Sequence, residues 1–262
     1  MLNSRGSSKK FSGEYMMPEI GVLLLTYNEE KNIENCLESV KWVERIVIVD
    51  SYSEDNTLEI AENYNVEIYQ KEFNDFSSQR NFGIQKLDTS WVLVIDADER
   101  VTSVLKEEIL RIISEGNKKA YKIPRKNYFL GKWIKYCGWY PDYTLRLFKN
   151  ENIYFQGKVH EKVELNCEIG RLENSLIHYT HRNIGEYVNK INKYTDLAAE
   201  ELYNRGKDVG VFYVVLRPLY ELFLKLIIKK GVLLGKEGLL LSVLSAFYKF
   251  LKYAKLWEKN RS

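Results

Sequence analysis

The sequence predicts an α/β protein: a doubly wound, mainly parallel sheet with helices on both faces, followed by a C-terminal amphipathic helical tail. Three observations predict it. Short apolar runs alternate with amphipathic stretches between residues 20 and 96, and strand–helix alternation implies crossover connections and parallel pairing. The 262 residues are 45% hydrophobic and 29% charged with 15 Gly and 4 Pro, which suits one large folded domain with an appendage and excludes collagenous and wholly disordered classes. Charge is unevenly divided: from Arg205 onward 12 Lys/Arg face 4 Asp/Glu, a net of +8, against −5 for the residues before it.

The elements follow in order. MLNSRGSSKKFSGEYMM (1–17) has no apolar core of the signal-peptide kind and reads as a disordered leader, with Met16 or Met17 as an alternative start. IGVLLLT (20–26), RIVIVD (45–50), VEIYQ (66–70) and WVLVID (91–96) read as strands. Between them, EEKNIENCLESV (29–40), NTLEIAENY (56–64) and SSQRNFGIQKL (77–87) read as helices. Beyond Glu99 the alternation fades, and the aromatic-rich region 121–148 reads as short strands and loops. A polar helix is expected over 184–205, then apolar helices over 211–229 and 238–257.

Cys36, Cys137 and Cys167 are too few and too scattered for a disulfide framework, and no C-x-x-C is present, which fits a reducing cytoplasm. The tail's cations imply an anionic partner. They are interleaved with so much Leu, Ile, Phe, Tyr and Trp that a lipid surface suits them better than nucleic acid. Its longest uncharged run is the 11 residues 238–248, short of the 18 or more of a membrane span, so the tail is expected to lie on a membrane. Leu241, Leu244, Tyr248, Leu251 and Ala254 form its apolar stripe, with Lys249, Lys252, Lys255 and Lys259 between them; packing of that stripe on the rest of the protein is the alternative.

In doubly wound sheets ligands bind at the carboxyl ends of strands. There lie Thr26, Asn28 and Glu29 after the first strand, Asp50 after the second, and Asp96 and Asp98 after the fourth. Two hard carboxylates two residues apart can point the same way and suit Mg²⁺ or Mn²⁺ with substrate phosphates completing the shell; capping of the helix near Thr102 is the alternative. Asp50 is placed to accept hydrogen bonds from a ribose or base. No G-x-G-x-x-G follows the first strand and no P-loop is present, which disfavours a dinucleotide site.

LLLTYNEEKNIENCLESV, IVIVDSYSEDNT, FSSQRNFGIQ and WVLVIDADE occur in an order and spacing that resembles family-two glycosyltransferases of the GT-A fold. GWYPD, RLF, VHE, LIHY and the final helix look like the bacterial branch of β-glucosyltransferases that extends the lipopolysaccharide inner core. The resemblance covers about residues 18–258. It implies an inverting transferase with a nucleotide-sugar donor, UDP-glucose in that branch, and a lipid-linked or lipopolysaccharide-core acceptor at the cytoplasmic face of the membrane. It places Thr26, Asn28, Glu29, Asp50, Arg80, Asn81 and Asp96 around the nucleotide-sugar and a divalent metal on Asp96 and Asp98, with His178 as a third ligand. Arg80 makes physical sense beside a diphosphate, although a solvated helix residue reads equally well.

Transfer needs a general base for the acceptor hydroxyl. Asp142 is the first choice on the resemblance and Glu161, beside His160, the second. Trp139 and Tyr140 offer flat faces to a sugar. These readings divide the chain into the leader (1–17), a glycosyltransferase domain (18–205, its nucleotide half ending near 100) and a membrane-associating segment (206–262). A nucleotidyltransferase or a catalytically silent membrane-bound scaffold are the competing readings; TYNEE lacks the Gly-rich phosphate loop of the first, and intact carboxylates argue against the second.

Overall fold

The computed structural model describes residues 19–151, 153–157, 162–163, 167–181 and 183–261. The leader expected over 1–17 lies outside them, as do His160 and Glu161. The first half follows the expected alternation: β1 (Ile20–Thr26), α1 (Ile33–Val40), β2 (Arg45–Asp50), α2 (Thr57–Ala61), β3 (Glu67–Gln70), α3 (Phe76–Ile84) and β4 (Trp91–Asp96). α1 begins four residues later than its periodicity suggests. The N–H groups of Asn28, Glu29 and Glu30 bond to Ser53 Oγ, Thr57 Oγ1 and Asp55 Oδ2 at 2.7–3.1 Å, so these residues form a loop laced to the β2–α2 connection.

Strands β3, β2, β1 and β4 are neighbours in that order and parallel. Their side chains alternate between two cores. Val22, Leu24, Ile48, Leu93 and Ile95 pack against α1 and α2, while Leu23, Val47, Val49, Val92 and Val94 face the α3 side. Strands buried on both faces read as continuous apolar runs, which is why the sequence revealed them. On the second face Gly83 brings α3 directly onto Leu23 and Val49, where any Cβ would collide with both side chains.

Next come β5 (Glu99–Arg100) and α4 (Ser103–Glu115), which joins α1 and α2 on the first face. Thr102 caps α4, its Oγ1 receiving the Leu105 N–H, so neither Asp96 nor Asp98 serves as the cap. The region expected to be short strands and loops instead holds two long strands, β6 (Ala120–Phe129) and β8 (Asp142–Lys149), with β7 (Lys132–Trp133) between them. β8 pairs antiparallel with both β4 and β6. Lys122, Arg125 and Lys126 break up the apolar pattern of β6, and Arg125 is tolerated because Asp142 lies directly opposite it across the pair. β9 (Phe155–Gln156) and β10 (Lys162–Val163) form a two-stranded ribbon; β11 (Ile169–Arg171) and β12 (Leu176–His181) run parallel to β6, and β5 closes the edge beyond β12. The sheet, parallel in its first four strands and mixed beyond, with helices on both faces and a helical C-terminus, is the GT-A-type architecture the resemblance implied.

The chain ends in α5 (Ile184–Asn204), α6 (Val211–Phe223) extended by a π turn (Leu224–Ile228), a 3₁₀ turn (Gly231–Leu234) and α7 (Lys236–Lys259). The stripe expected to face lipid does not. Leu241 and Leu244 are buried against Phe129, Ile134, Cys137 and Ile191, with Tyr248 and Leu251 packed at the margin, and Ala254 packs on the cluster of Ala199, Val214 and Leu256. Periodicity identified an apolar face, and Phe129, Ile134, Cys137 and Ile191, drawn from the end of β6, the loop after β7 and α5, supplied its partners.

Candidate active site

Register places the strand exits side by side: Thr26 is opposite Asp50, and Leu25 opposite Asp96. Asp50 is fully buried, and its carboxylate accepts from Thr26 Oγ1 (2.9 Å), the Ser53 N–H (2.8 Å) and Ser53 Oγ (2.5 Å). Thr26 and Asp50 therefore shape the loop beside the strand exits. Asn28, in the left-handed region at φ 54°, receives the Glu54 N–H on its Oδ1 (2.8 Å). Asn28, Glu29 and Asp98 line one cavity of about 270 Å³ whose walls also carry Glu30, Asp55 and Glu186 against one cation, Lys31. It is strongly acidic.

The two aspartates of the D-x-D take different partners. Asp96 binds Arg146 (2.5 Å) and lies 3.6 Å from Arg80. Partial burial works against its charge, but the two guanidinium groups outweigh it and hold the carboxyl well below the usual carboxylate range. Asp98 instead lies beside His178, with Oδ2 3.2 Å from Nε2. Both aspartates are largely shielded rather than solvent-facing, with 29% and 23% of their side chains exposed. Asp96 thus does not join Asp98 and His178, and among the described residues no three His, Cys, Asp or Glu side chains converge to enclose an ion.

Asp98 and His178 nonetheless have the chemistry of a cation site. The Asn127 amide nitrogen donates to Asp142 Oδ2 (3.1 Å) and the Trp139 carbonyl (3.2 Å), which turns Asn127 Oδ1 toward His178 Nδ1 at 2.7 Å. Nδ1 therefore carries a hydrogen toward Asn127, and that bond fixes the ring with Nε2 toward the Asp98 carboxylate. Nε2 lies 3.2 Å from Asp98 Oδ2, and Asp98 Oδ1 is buried with no hydrogen-bond partner. A carboxylate with an unpartnered buried oxygen beside an imidazole suits a divalent cation such as Mn²⁺.

Asp142 is held by its Oδ2, which accepts from Arg125 Nε (2.9 Å) and from Arg125 nitrogen Nη2 (2.6 Å) as well as from Asn127. One third of the side chain is exposed, and Oδ1 remains to receive a proton. Arg80 is buried; loss of hydration is the main effect lowering its pKa from the ordinary arginine value. Asn81 is committed to backbone: its Nδ2 donates to the Phe155 carbonyl and its Oδ1 accepts the Phe155 N–H, fixing β9 to α3.

Sequence reasoning missed Arg146, Glu99, Arg125 and Asn127. Glu99 is fully buried and accepts from Arg146 (2.6 Å), Arg125 (3.4 Å) and the Asp96 N–H (3.0 Å), so an ionic chain runs Asp96–Arg146–Glu99–Arg125–Asp142. Arg146 is the extra residue where the β6–β8 register shifts, Tyr121 pairing with Leu147 and Lys122 with Leu145. Such bulges re-aim a side chain next to functional sites. The motif RLF contained the arginine, and only an apolar strand interrupted by a cation could have flagged it.

A doubly wound sheet with acidic groups at its strand exits and a further carboxylate, Asp142, at the start of the antiparallel strand β8 is an architecture for transfer from an activated donor, and the chain belongs to glycosyl transferase family 2, whose profile matches residues 22–164. It is similar to an uncharacterized glycosyltransferase of Rickettsia typhi (28% identity; 92% of this chain and 88% of the relative). It is also similar to the lipopolysaccharide core biosynthesis glycosyltransferase LpsC of Rhizobium meliloti (26% identity; 94% of this chain and 95% of the relative). Among solved structures, S. aureus TarS 1-349 in complex with UDP-GlcNAc is similar with a TM-score of 0.49 at 17% identity, over 93% of this chain and 91% of that one.

Proposed function

We propose that this protein is an inverting, metal-dependent hexosyltransferase that moves a sugar, glucose by the sequence resemblance, from a UDP-sugar to a lipid-linked or lipopolysaccharide-core acceptor at the cytoplasmic face of the membrane. The observation that carries this reading is the relay Asp98–His178–Asn127–Asp142, in which one amide connects the candidate cation site to the candidate base. Similarity to LpsC, named for lipopolysaccharide core biosynthesis, supports the acceptor class.

Asp142 Oδ1 takes the proton of the acceptor hydroxyl as that oxygen attacks the anomeric carbon, while Arg125 and Asn127 hold the other oxygen and fix the carboxylate's aim. Arg146 and Arg80 keep Asp96 ionised at the strand exit. The acidic walls around Asn28 and Glu29 repel a bare diphosphate, so Asp98 and His178 would hold a divalent ion there, which supplies charge neutralisation to the departing nucleoside diphosphate. Thr26 and Asp50 set the loop that borders the donor. A thermal-shift series with UDP-glucose, UDP-GlcNAc and UDP, each with Mn²⁺, Mg²⁺ or chelator, tests the donor reading. Binding at 100 times the dissociation constant adds about 2.7 kcal/mol of stability, and no shift with any UDP compound in either metal would refute it.

The tail supports membrane association through a face other than the expected stripe. Phe212, 77% exposed, lies with Val215, Leu216, Leu219 and Phe223 on α6, and Leu239, Val243 and Phe247 are exposed on α7. Apolar surface of this kind marks an interaction site, and the tail's excess of Lys and Arg suits anionic headgroups at roughly 1 kcal/mol each. No helix among the described residues is long and apolar enough to cross a membrane. Because truncation at Arg205 would strip partners from Phe129 and Ala199, the test keeps the full chain: a Phe212→Asp/Leu216→Asp/Leu219→Asp variant is expected to stop floating with anionic vesicles while melting normally. Undiminished flotation would reject this face as the contact.

A further inference from the structure

A cavity of about 340 Å³ lies where α5, α6 with its π turn, and α7 meet the loop carrying Trp139. That volume is within the range of small-molecule sites, about 300–1,000 Å³. It is separate from the acidic cavity at the strand exits, and its character is opposite. Trp139, Tyr187, Tyr194 and Tyr248 give it aromatic walls, and Lys190, Lys225 and Lys249 line it with a single carboxylate, Glu221.

The cations are not equivalent. Lys225 is committed to the Cys137 carbonyl (2.8 Å) and lies 4.0 Å from Glu221. Lys190 and Lys249 rest about 6 Å from the ring centroids of Tyr194 and Tyr248, and among the described residues neither has a carboxylate partner. The cavity is also tied to the candidate base, since Asn127 donates to both the Trp139 carbonyl and the Asp142 carboxylate.

We infer that this cavity is an acceptor subsite for an anionic sugar, a phosphate- or carboxylate-bearing pyranose next to the hydroxyl that is glycosylated. The inference rests on the glycosyl-transfer reading above and deepens it. Flat aromatic faces match the C–H face of a pyranose ring, and two unpaired ammonium groups at the rim match one anionic substituent. A bare lipid headgroup would use the cations and leave the aromatic walls idle. The tail then has a second role: α7 carries the docked wall of the cavity on one face and exposed apolar residues on another, so a membrane-borne acceptor meets the cavity and the base from the same segment.

The test titrates the full chain with glucose 6-phosphate, methyl glucoside and glycerol 1-phosphate by ligand-observed NMR, with UDP binding measured in parallel. Glucose 6-phosphate is expected to bind about tenfold more tightly than either comparison compound, the size of one charge-assisted contact. Lys190→Gln/Lys249→Gln should remove that preference and leave UDP binding and melting unchanged, and Lys190→Arg/Lys249→Arg should retain it. Equal affinity for the sugar phosphate and methyl glucoside, an unchanged preference in the glutamine variant, no binding of glucose 6-phosphate, or glycerol phosphate binding as tightly would each overturn the inference. Loss of UDP binding in the wild type would count against the donor reading alone.

Discussion

Asp98→Ala is expected to lower sugar transfer by about 10²–10³-fold, the scale of removing one electrostatic stabiliser from a transition state, while the protein melts no lower than wild type. Stability is spared because Asp98 Oδ1 is buried without a hydrogen-bond partner, and that unmet desolvation offsets the single 3.2 Å contact of Oδ2 with His178. The transfer rate as a function of Mn²⁺ concentration, read beside a melting curve, checks both halves. His178→Ala should raise the Mn²⁺ needed for half-activation in the same assay. Wild-type rates in excess chelator, or full activity of Asp98→Ala, would remove the metal from the proposal. Asp96→Ala is expected to behave differently despite standing two residues away. It strips the nearly inaccessible Arg146 of a 2.5 Å partner and leaves it Glu99 alone at 2.6 Å, so its loss of activity comes with a lower melting temperature.

Asp142→Asn is expected to reduce turnover by about 10²–10⁴-fold, the usual contribution of a general base, with donor affinity unchanged. The base acts on the acceptor hydroxyl as transfer occurs, so kcat and kcat/KM for acceptor fall together while UDP binding does not. The asparagine keeps an oxygen for Asn127, and Arg125 retains Glu99 at 3.4 Å, which holds the strand pair together. Steady-state kinetics on this variant and on Glu161→Gln separate the two candidates. Loss of turnover in Glu161→Gln with Asp142→Asn still active would transfer the role to Glu161.

Much of the nucleotide half was legible because its signal is local. Val92, Leu93, Val94 and Ile95 are fully buried, and an unbroken apolar run that ends in a carboxylate announces both a strand and the edge where ligands bind. Helix α5 was legible for a similar reason: Asn183 caps it by accepting the Glu186 N–H at 2.8 Å, and Ile191, Thr195 and Ala199 bury one side at helical spacing. The second half of the sheet was not, since β6 carries three cations and Pro124. It is held by pairing with β8 and β12, and Arg125 is compensated there by Asp142 and Glu99, all of them distant in sequence.

The sequence by itself determined the strand exits, the family and the residues Thr26, Asp50, Asp96 and Asp98 that stand at those exits, since each follows from an apolar run and the position where it stops. Only the tertiary structure decided which carboxylate faces which partner. Asp96 meets Arg146 across 50 residues and Asp98 meets His178 across 80, and those pairings depend on strand register and on a one-residue bulge that local spacing does not encode. The same holds for the tail. Helical period marked Leu241 and Leu244 as one face of α7, but Phe129 and Ile134 took that face into the core and left Leu239, Val243 and Phe247 at the surface. An apolar stripe specifies that burial is favourable, and what covers it is fixed only by the elements that fold against it.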